Sequence, residues 1–338
     1  YNLLLHSRKD EALEVHPPMT RSQSPLTLGF DIGGTNLRGA VVDHNGTILD
    51  SAQIPTPSSE EMMERGIVHV TNKLRASWDV EACGLAIAGF IDPDLEKVSY
   101  GPHVPWRNAP VRKRLEDKLG MPVRIEHDAN SAAWGEYRFG AAMQAETWVL
   151  FAIGTGIGAT LMIDGQIYRG SYGVAPEFGH LVVVPGGRPC SCGKNGCLER
   201  YCSGTALEDT AREVIGCAQF EESELARTYH DRPEKISGRV IMAAAKRGDP
   251  AAQAVVNNFA MWLGHGLSIV SDVLDPELIV IAGGVADEAP LYLDKAQEAY
   301  SESIVGAGYR KLARLKTAEL GSAAGMIGVS DLAREAVL

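Results

Sequence analysis

The chain reads as a duplicated α/β fold, two lobes facing a central cleft, and three observations carry that reading. The order strand, glycine turn, strand, tight turn occurs twice. Leu26–Asp31 is apolar and β-prone, Gly33-Gly34-Thr35 turns, Leu37–Val42 runs back, and Asn45-Gly46 is a hairpin signal. Trp148–Ile153, Gly154-Thr155-Gly156-Ile157-Gly158, Ala159–Ile163 and Asp164-Gly165 repeat the series. Helical and buried-strand segments then alternate after each copy, the pattern of α/β proteins. Finally, 338 residues with 45% hydrophobic and 22% charged content suit a globular chain of about two domains. A duplicated unit of this kind is the actin-like, ribonuclease-H-like ATPase architecture.

Residues 1–25 are polar, contain Pro17, Pro18 and Pro25, and are expected to form a flexible leader, with Met19 a candidate start. Leu3-Leu4-Leu5 is too short for a signal-peptide core. The expected small lobe spans 26–127, joined by a C-terminal helix at about 323–338 that packs back on it; the larger lobe spans 128–322. Met63, Ile67, Val70 and Leu74 follow helical spacing and predict a helix over Ser59–Ser77. Cys83–Ala88 is a buried strand ending at Gly89, and the strand Val123–Glu126 gives way to a helix at Asp128. Asp249-Pro250 supplies an N-cap and a first-turn proline. They open a long helix with Val256, Phe259, Leu263, Leu267, Val270 and Leu274 on one face. Leu278–Ala282 is a short buried strand that stops at Gly283-Gly284.

Net charge is −11 with no Lys/Arg block, so the electrostatic footprint of a nucleic-acid binder is absent. No apolar run reaches the roughly 20 residues that span a bilayer. Cys83, Cys202 and Cys217 follow no pairing pattern, which fits a reducing cytoplasm.

The densest chemistry lies in Glu177-Phe-Gly-His180 followed by Cys190-Ser-Cys192-Gly-Lys-Asn-Gly-Cys197-Leu-Glu199. Three thiols and an imidazole in so short a loop suit a tetrahedral zinc ion in a structural role. Such a clip would hold Glu177 and Glu199 rigidly, as carboxylates that grip hydroxyls must be held. The free ring nitrogen of His180 is available to a substrate oxygen. Glycine turns after buried strands let backbone N–H groups close on an anion. Asp31-Ile-Gly33-Gly34-Thr35-Asn36 and Gly154-Thr155-Gly156-Ile-Gly158 therefore suggest a phosphate clasp between the halves, with a nucleoside against Gly283-Gly284. Neither turn matches the P-loop or dinucleotide fingerprint. Asp128, in Glu126-His-Asp128-Ala-Asn130, sits at a helix N-terminus, where a carboxylate is favoured in its charged form. It is either a helix cap or the group that positions a hydroxyl for phosphoryl transfer, where early proton removal matters little.

These residues resemble the ROK family of repressors and sugar kinases, and most closely its glucokinase-type enzymes, from about Leu26 to the C-terminus. The most specific element is Glu177-x-x-His180 with Cys190-x-Cys192-Gly-x-x-Gly-Cys197-x-Glu199. The resemblance implies transfer of phosphate from Mg·ATP to the terminal hydroxyl of a hexose, D-glucose first. Asp128 would be the catalytic base, and Gly89, His127, Glu177, His180 and Glu199 sugar contacts. His180, Cys190, Cys192 and Cys197 would be ligands of a structural Zn²⁺. The turns Asp31 to Asn36 and Gly154 to Gly158 would form the ATP phosphate loops and Gly283-Gly284 the adenosine side. It also implies a cytoplasmic homo-oligomer, dimer or tetramer, with sugar and ATP as partners and neither nucleic acid nor membrane.

One position departs from the family pattern. His127 stands where family kinases usually have Asn, and an imidazole replaces part of the amide's hydrogen bonding. The change bears on sugar choice and on the pH dependence of affinity. Family repressors also carry His there, but with an N-terminal DNA-binding module for which residues 1–25 are too few. The alternatives are thus a kinase for mannose, N-acetylmannosamine, N-acetylglucosamine or fructose, or a sugar-sensing regulator without catalysis.

Overall fold

The computed structural model describes residues 25–338; the leader expected over residues 1–25 lies, Pro25 apart, outside the described residues. The first sheet contains β1 (Leu26–Ile32), β2 (Asn36–Val42), β3 (Ile48–Pro55), β4 (Val80–Ile87) and, beyond the small hairpin β5 (Phe90–Ile91) and β6 (Val98–Tyr100), β7 (Val123–His127). Its spatial order is β3-β2-β1-β4-β7. The second sheet contains β8 (Trp148–Ile153), β9 (Ile157–Ile163), β10 (Gln166–Tyr168), β11 (Leu278–Ala282) and β12 (Arg314–Thr317), in the order β10-β9-β8-β11-β12. Both sheets open with an antiparallel meander and continue with two parallel strands. The predicted duplication is present.

The helices of the first half are α1 (Glu60–Arg75) and α2 (Val111–Leu119). Ser59 caps α1 through a hydrogen bond from the Met62 backbone N, and Met63, Ile67, Val70 and Leu74 are buried against Leu28, Phe30 and Leu85 of the first sheet. The second half is built around α7 (Pro250–Leu274), which the Asp249 side chain caps as its sequence predicts. Phe259, Leu263 and Leu267 of α7 are buried with Phe151, Ile279 and Ile281 of the second sheet. Between β10 and α7 lie the cysteine knuckle, α4 (Gly204–Val214), α5 (Glu224–Tyr229) and α6 (Gly238–Lys246); α8 (Leu293–Ser303) follows β11.

Two helices join the halves. Helix α3 (Asp128–Phe139) leaves the end of β7, and α9 (Ala324–Arg334) crosses it and packs on β1 and β4. The crossing is close because the strands carry glycine there. A Cβ on Gly29 would lie 1.9 Å from the Met326 carbonyl oxygen, and one on Gly84 2.1 Å from that of Val329. Arg334, buried at the end of α9, donates to the Thr27 hydroxyl and the Val42 and Asp43 carbonyls. At the other end of α3, the buried Glu136 carboxylate accepts the backbone N–H groups of Ala141, Glu319 and Leu320. The pair α3 and α9 therefore forms a braced junction between the two sheets.

Candidate active site

Asp128 is the first residue of α3, where the parallel strand β7 ends at the cleft. His127 occupies the N-cap position with extended backbone and makes no capping hydrogen bond through its side chain. Asp128 is thus not the cap that one reading of the sequence allowed. Its Oδ1 accepts its neighbour Ala129's N–H at 2.7 Å and lies 3.3 Å from His127 Nδ1. The side chain is 45% exposed, which leaves the carboxylate open to the cleft.

A recess beside it is lined by Gly89, Phe90, His127, Asn130, Pro176 and Glu177. Gly89 follows the end of β4, and Glu177 ends the loop that leaves β10, so this recess brings together residues of both halves. Burial holds the Glu177 carboxyl above the usual carboxylate range, although the charges of His180 and His127 pull the other way. His180 turns Nε2 toward Glu177 at 3.9 Å and Nδ1 toward Glu199 Oε1 at 3.6 Å.

The same Nδ1 is 3.6 Å from Cys190 Sγ, and the sulfurs of Cys192 and Cys197 are 3.6 Å apart. All four donor atoms of His180, Cys190, Cys192 and Cys197 lie within 4.8 Å of one another. A tetrahedron with bonds of about 2.3 Å has edges of about 3.8 Å, so the set fits a zinc-sized cation. The knuckle is held by tight turns, Cys190 N to Lys194 O at 2.9 Å and Gly193 N to Cys190 O at 3.1 Å. Burial pushes the Cys190 thiol up to about 12, and a bound cation would reverse that, since thiolate is the ligand form.

On the far side of the second sheet's glycine turn is a cavity of about 760 Å³. Gly154, Thr155 and Gly284 line it as the sequence predicts, together with residues that sequence reasoning missed: Gly204, Thr205, Glu208, Ser237, Arg239 and Lys246. Gly204, Thr205, Ser237 and Arg239 come from the starts of α4 and α6, which Ser203 and Ser237 cap through their hydroxyls, Glu208 comes from the next turn of α4, and Lys246 ends α6. Two helix N-termini facing one cavity present N–H groups and positive dipole ends to an anion. The signal was in the sequence as two Ser-Gly pairs, each a cap followed by a helix start. Helix α4 is fastened to the glycine turn by Gly204 N to Gly154 O at 2.8 Å and the Thr205 hydroxyl to Thr155 O at 2.8 Å.

Other predicted phosphate residues are placed differently. Gly158 is not in the turn: it lies inside β9, paired with Ala152, because the strand begins at Ile157. Gly156 stands against the Glu199 carboxylate, where a Cβ would come within 2.5 Å of Oε2. The same Oε2 receives Ile157 N at 3.4 Å, so Glu199 spans from the knuckle to the turn. Gly283 has φ +85°, a left-handed conformation that favours glycine, and abuts the backbone of Ile153. In the first half, Asp31 is the cross-strand partner of Arg38 and forms an ion pair with it. Thr35 lies between Gly34 and Asn36, the first residue of β2, and the exposed His103 packs near Gly34.

The ROK family model matches residues 27–336. A glucokinase of Streptomyces coelicolor is 37% identical over 310 residues, 92% of this chain and 98% of that protein. Among solved structures, a ROK family glucokinase from Streptomyces griseus in complex with glucose and AMPPNP is 38% identical and superposes with a TM-score of 0.81, covering 92% of this chain and 99% of the other. A ROK family transcriptional regulator, a homologue of the E. coli MLC protein, is 26% identical with a TM-score of 0.83, covering 93% and 79%.

Proposed function

The chain belongs to the ROK family, and from that premise we propose that it transfers the terminal phosphoryl group of Mg·ATP to the 6-hydroxyl of D-glucose. The observation that carries the reading is the fit, over 92% of the chain, to a glucokinase whose structure holds glucose and AMPPNP, an ATP analogue. The cavity at Gly154, Thr155 and Gly284 is the proposed ATP site, with the first glycine turn, Gly33 to Thr35, closing on the phosphates from the other half. The recess at Gly89, His127 and Glu177 is the proposed sugar site, with His180 and Glu199 at its back. Asp128 takes the proton of the 6-hydroxyl as the O6–P bond forms and the bond from the terminal phosphorus to the β-phosphate oxygen breaks, releasing ADP. Because the transition state is loose, positioning the hydroxyl contributes more than basicity. Closure of the halves about α3 and α9 excludes water that would otherwise accept the phosphate. Zinc on His180, Cys190, Cys192 and Cys197 would supply a structural cross-link and no chemistry. Six cysteines with no pairing pattern support a cytoplasmic location for the proposed reaction.

The test is ADP release by the purified protein with Mg·ATP, with and without millimolar D-glucose. Glucose-dependent turnover of roughly 1–100 s⁻¹, the range of typical kinases, is the expected result. Turnover with N-acetylmannosamine, mannose, N-acetylglucosamine or fructose in place of glucose would reassign the substrate. His127 and the similarity to a transcriptional regulator favour a second reading, a sugar sensor. Glucose binding with no turnover on any of these sugars would select it.

A further inference from the structure

We propose that Arg169 is a positioning residue for this transfer, pinning the Asp128 turn of one half to the Glu177 loop of the other. The inference rests on the kinase reading above. Glu126 lies on β7 two residues before Asp128 and is 1% exposed. Its Oε2 receives Arg169 Nη2 at 2.5 Å and Nε at 3.2 Å. Its Oε1 receives Asn130 Nδ2 at 2.9 Å and the His127 backbone N at 3.1 Å. Asn130 is fixed in turn by the Thr160 hydroxyl of β9, which donates to its Oδ1 at 3.0 Å. Arg124 approaches the same carboxylate only at 3.5 Å.

Arg169 itself follows β10 in the second half. Its carbonyl accepts Ala175 N at 3.1 Å, closing the loop that runs into Pro176 and Glu177. Arg169 thus ties the two together: its guanidinium holds Glu126, which leads into Asp128, and its backbone carbonyl closes the loop that carries Glu177. Asp128 is held little otherwise: among the described residues its Oδ1 has as polar partners its immediate neighbours, Ala129 N and His127 Nδ1. A buried carboxylate is stable only when fully paired, and a planar guanidinium fixes direction in a way that a flexible ammonium does not. Burial would raise the Glu126 pKa, yet the Arg169 charge and hydrogen bonds bring it below the usual value, consistent with an ionised pin.

The experiment compares Arg169→Gln, Arg169→Lys and the control Arg124→Gln by steady-state kinetics and by hydrogen exchange of the intact protein. We expect Arg169→Gln to lower kcat with glucose roughly 10–100-fold, as for a misplacement of about 1 Å. KM for ATP should stay within about twofold, and glucose-free ATP hydrolysis should be unchanged. Exchange over residues 127–133 should rise while that of α9 does not; Arg169→Lys should recover part of kcat, and Arg124→Gln should keep nearly all of it. Unchanged kcat in Arg169→Gln would overturn the proposal, as would transfer and glucose-free hydrolysis falling together with loosened exchange across α9, the mark of a general structural role. If the unaltered protein phosphorylates no hexose, the kinase reading fails separately. Exchange over 127–133 then still decides the pin: unchanged in Arg169→Gln it is refuted, raised it stands.

Discussion

The two glycine turns occupy the same place in two sheets of the same strand order, yet they are furnished differently. The turn after β8 is backed by the N-termini of α4 and α6 and by Glu199, and it opens on a cavity of about 760 Å³. The turn after β1 is held by the Asp31–Arg38 ion pair, by Thr56, whose hydroxyl donates to the Gly33 carbonyl at 2.6 Å and whose backbone N donates to Thr35 O at 2.9 Å, and by the neighbouring His103. The difference comes from what was inserted. Between β10 and β11 the second half carries the knuckle and α4 to α7, whereas β3 and β4 of the first half are separated by α1 alone. The repeat supplies two equivalent turns, and the insertions give one of them the cavity proposed as the nucleotide site and leave the other without one. The chemistry proposed for the first half lies at its trailing edge, where β7 runs into α3.

That division can be broken at several points. The trailing edge is tested most severely by Asp128→Asn, which should lower kcat by roughly 10²–10⁴, as removal of a general base does, with little change in sugar affinity. Turnover near that of the unaltered protein would take Asp128 out of the mechanism. In the second half, Cys192→Ser should abolish zinc binding, read by metal analysis, and release Glu177 and Glu199. Losing one charge-assisted hydrogen bond is worth about 1.5–3 kcal/mol, so KM for glucose should rise roughly 10–100-fold. A metal-free variant with unchanged KM would uncouple the knuckle from the sugar.

The asymmetry of the turns themselves is read by Gly156→Ala against Gly34→Ala. A methyl group at 156 meets Glu199 at 2.5 Å, while one at 34 meets nothing closer than 3.6 Å. We expect KM for ATP to rise about tenfold in the first, equivalent to about 1.4 kcal/mol, and to change little in the second. Equal effects would mean that both turns grip the nucleotide alike. The smallest effect is on stability. The depressed Glu126 pKa, set against burial by Arg169 and Asn130, gives stability that is present above the unfolded carboxylate value of about 4.3. That stability is lost as pH falls through the lower folded value. Melting temperature should therefore drop below about pH 4.3 by about a few degrees more than in Arg169→Gln. Parallel curves would remove the ion pair from the stability of the junction.

Much of this was legible in the chain. The duplication showed because each turn needs glycine and each flanking strand is a short apolar run, so local chemistry repeats whenever local structure does. The α1 and α7 caps, Ser59 and Asp249, and the knuckle were legible for the same reason, since capping and metal-donor spacing act over a few residues. The boundary errors were also local: Gly158 looks like part of a turn but has no need to be, because a strand accepts glycine where a helix packs close.

By itself, the sequence determined the two-sheet duplicated fold, the Cys₃His donor set and the candidate carboxylates Asp128, Glu177 and Glu199. Only the tertiary structure decided which turn faces a cavity, that α4 and α6 aim their N-termini into it, and that Glu126 meets Arg169 across 43 positions of chain. Periodicity and capping are written in neighbours along the chain. The meeting of Glu126 with Arg169, or of Glu199 with Gly156, depends on how two sheets and an insertion pack, and burial sets the strength of those contacts.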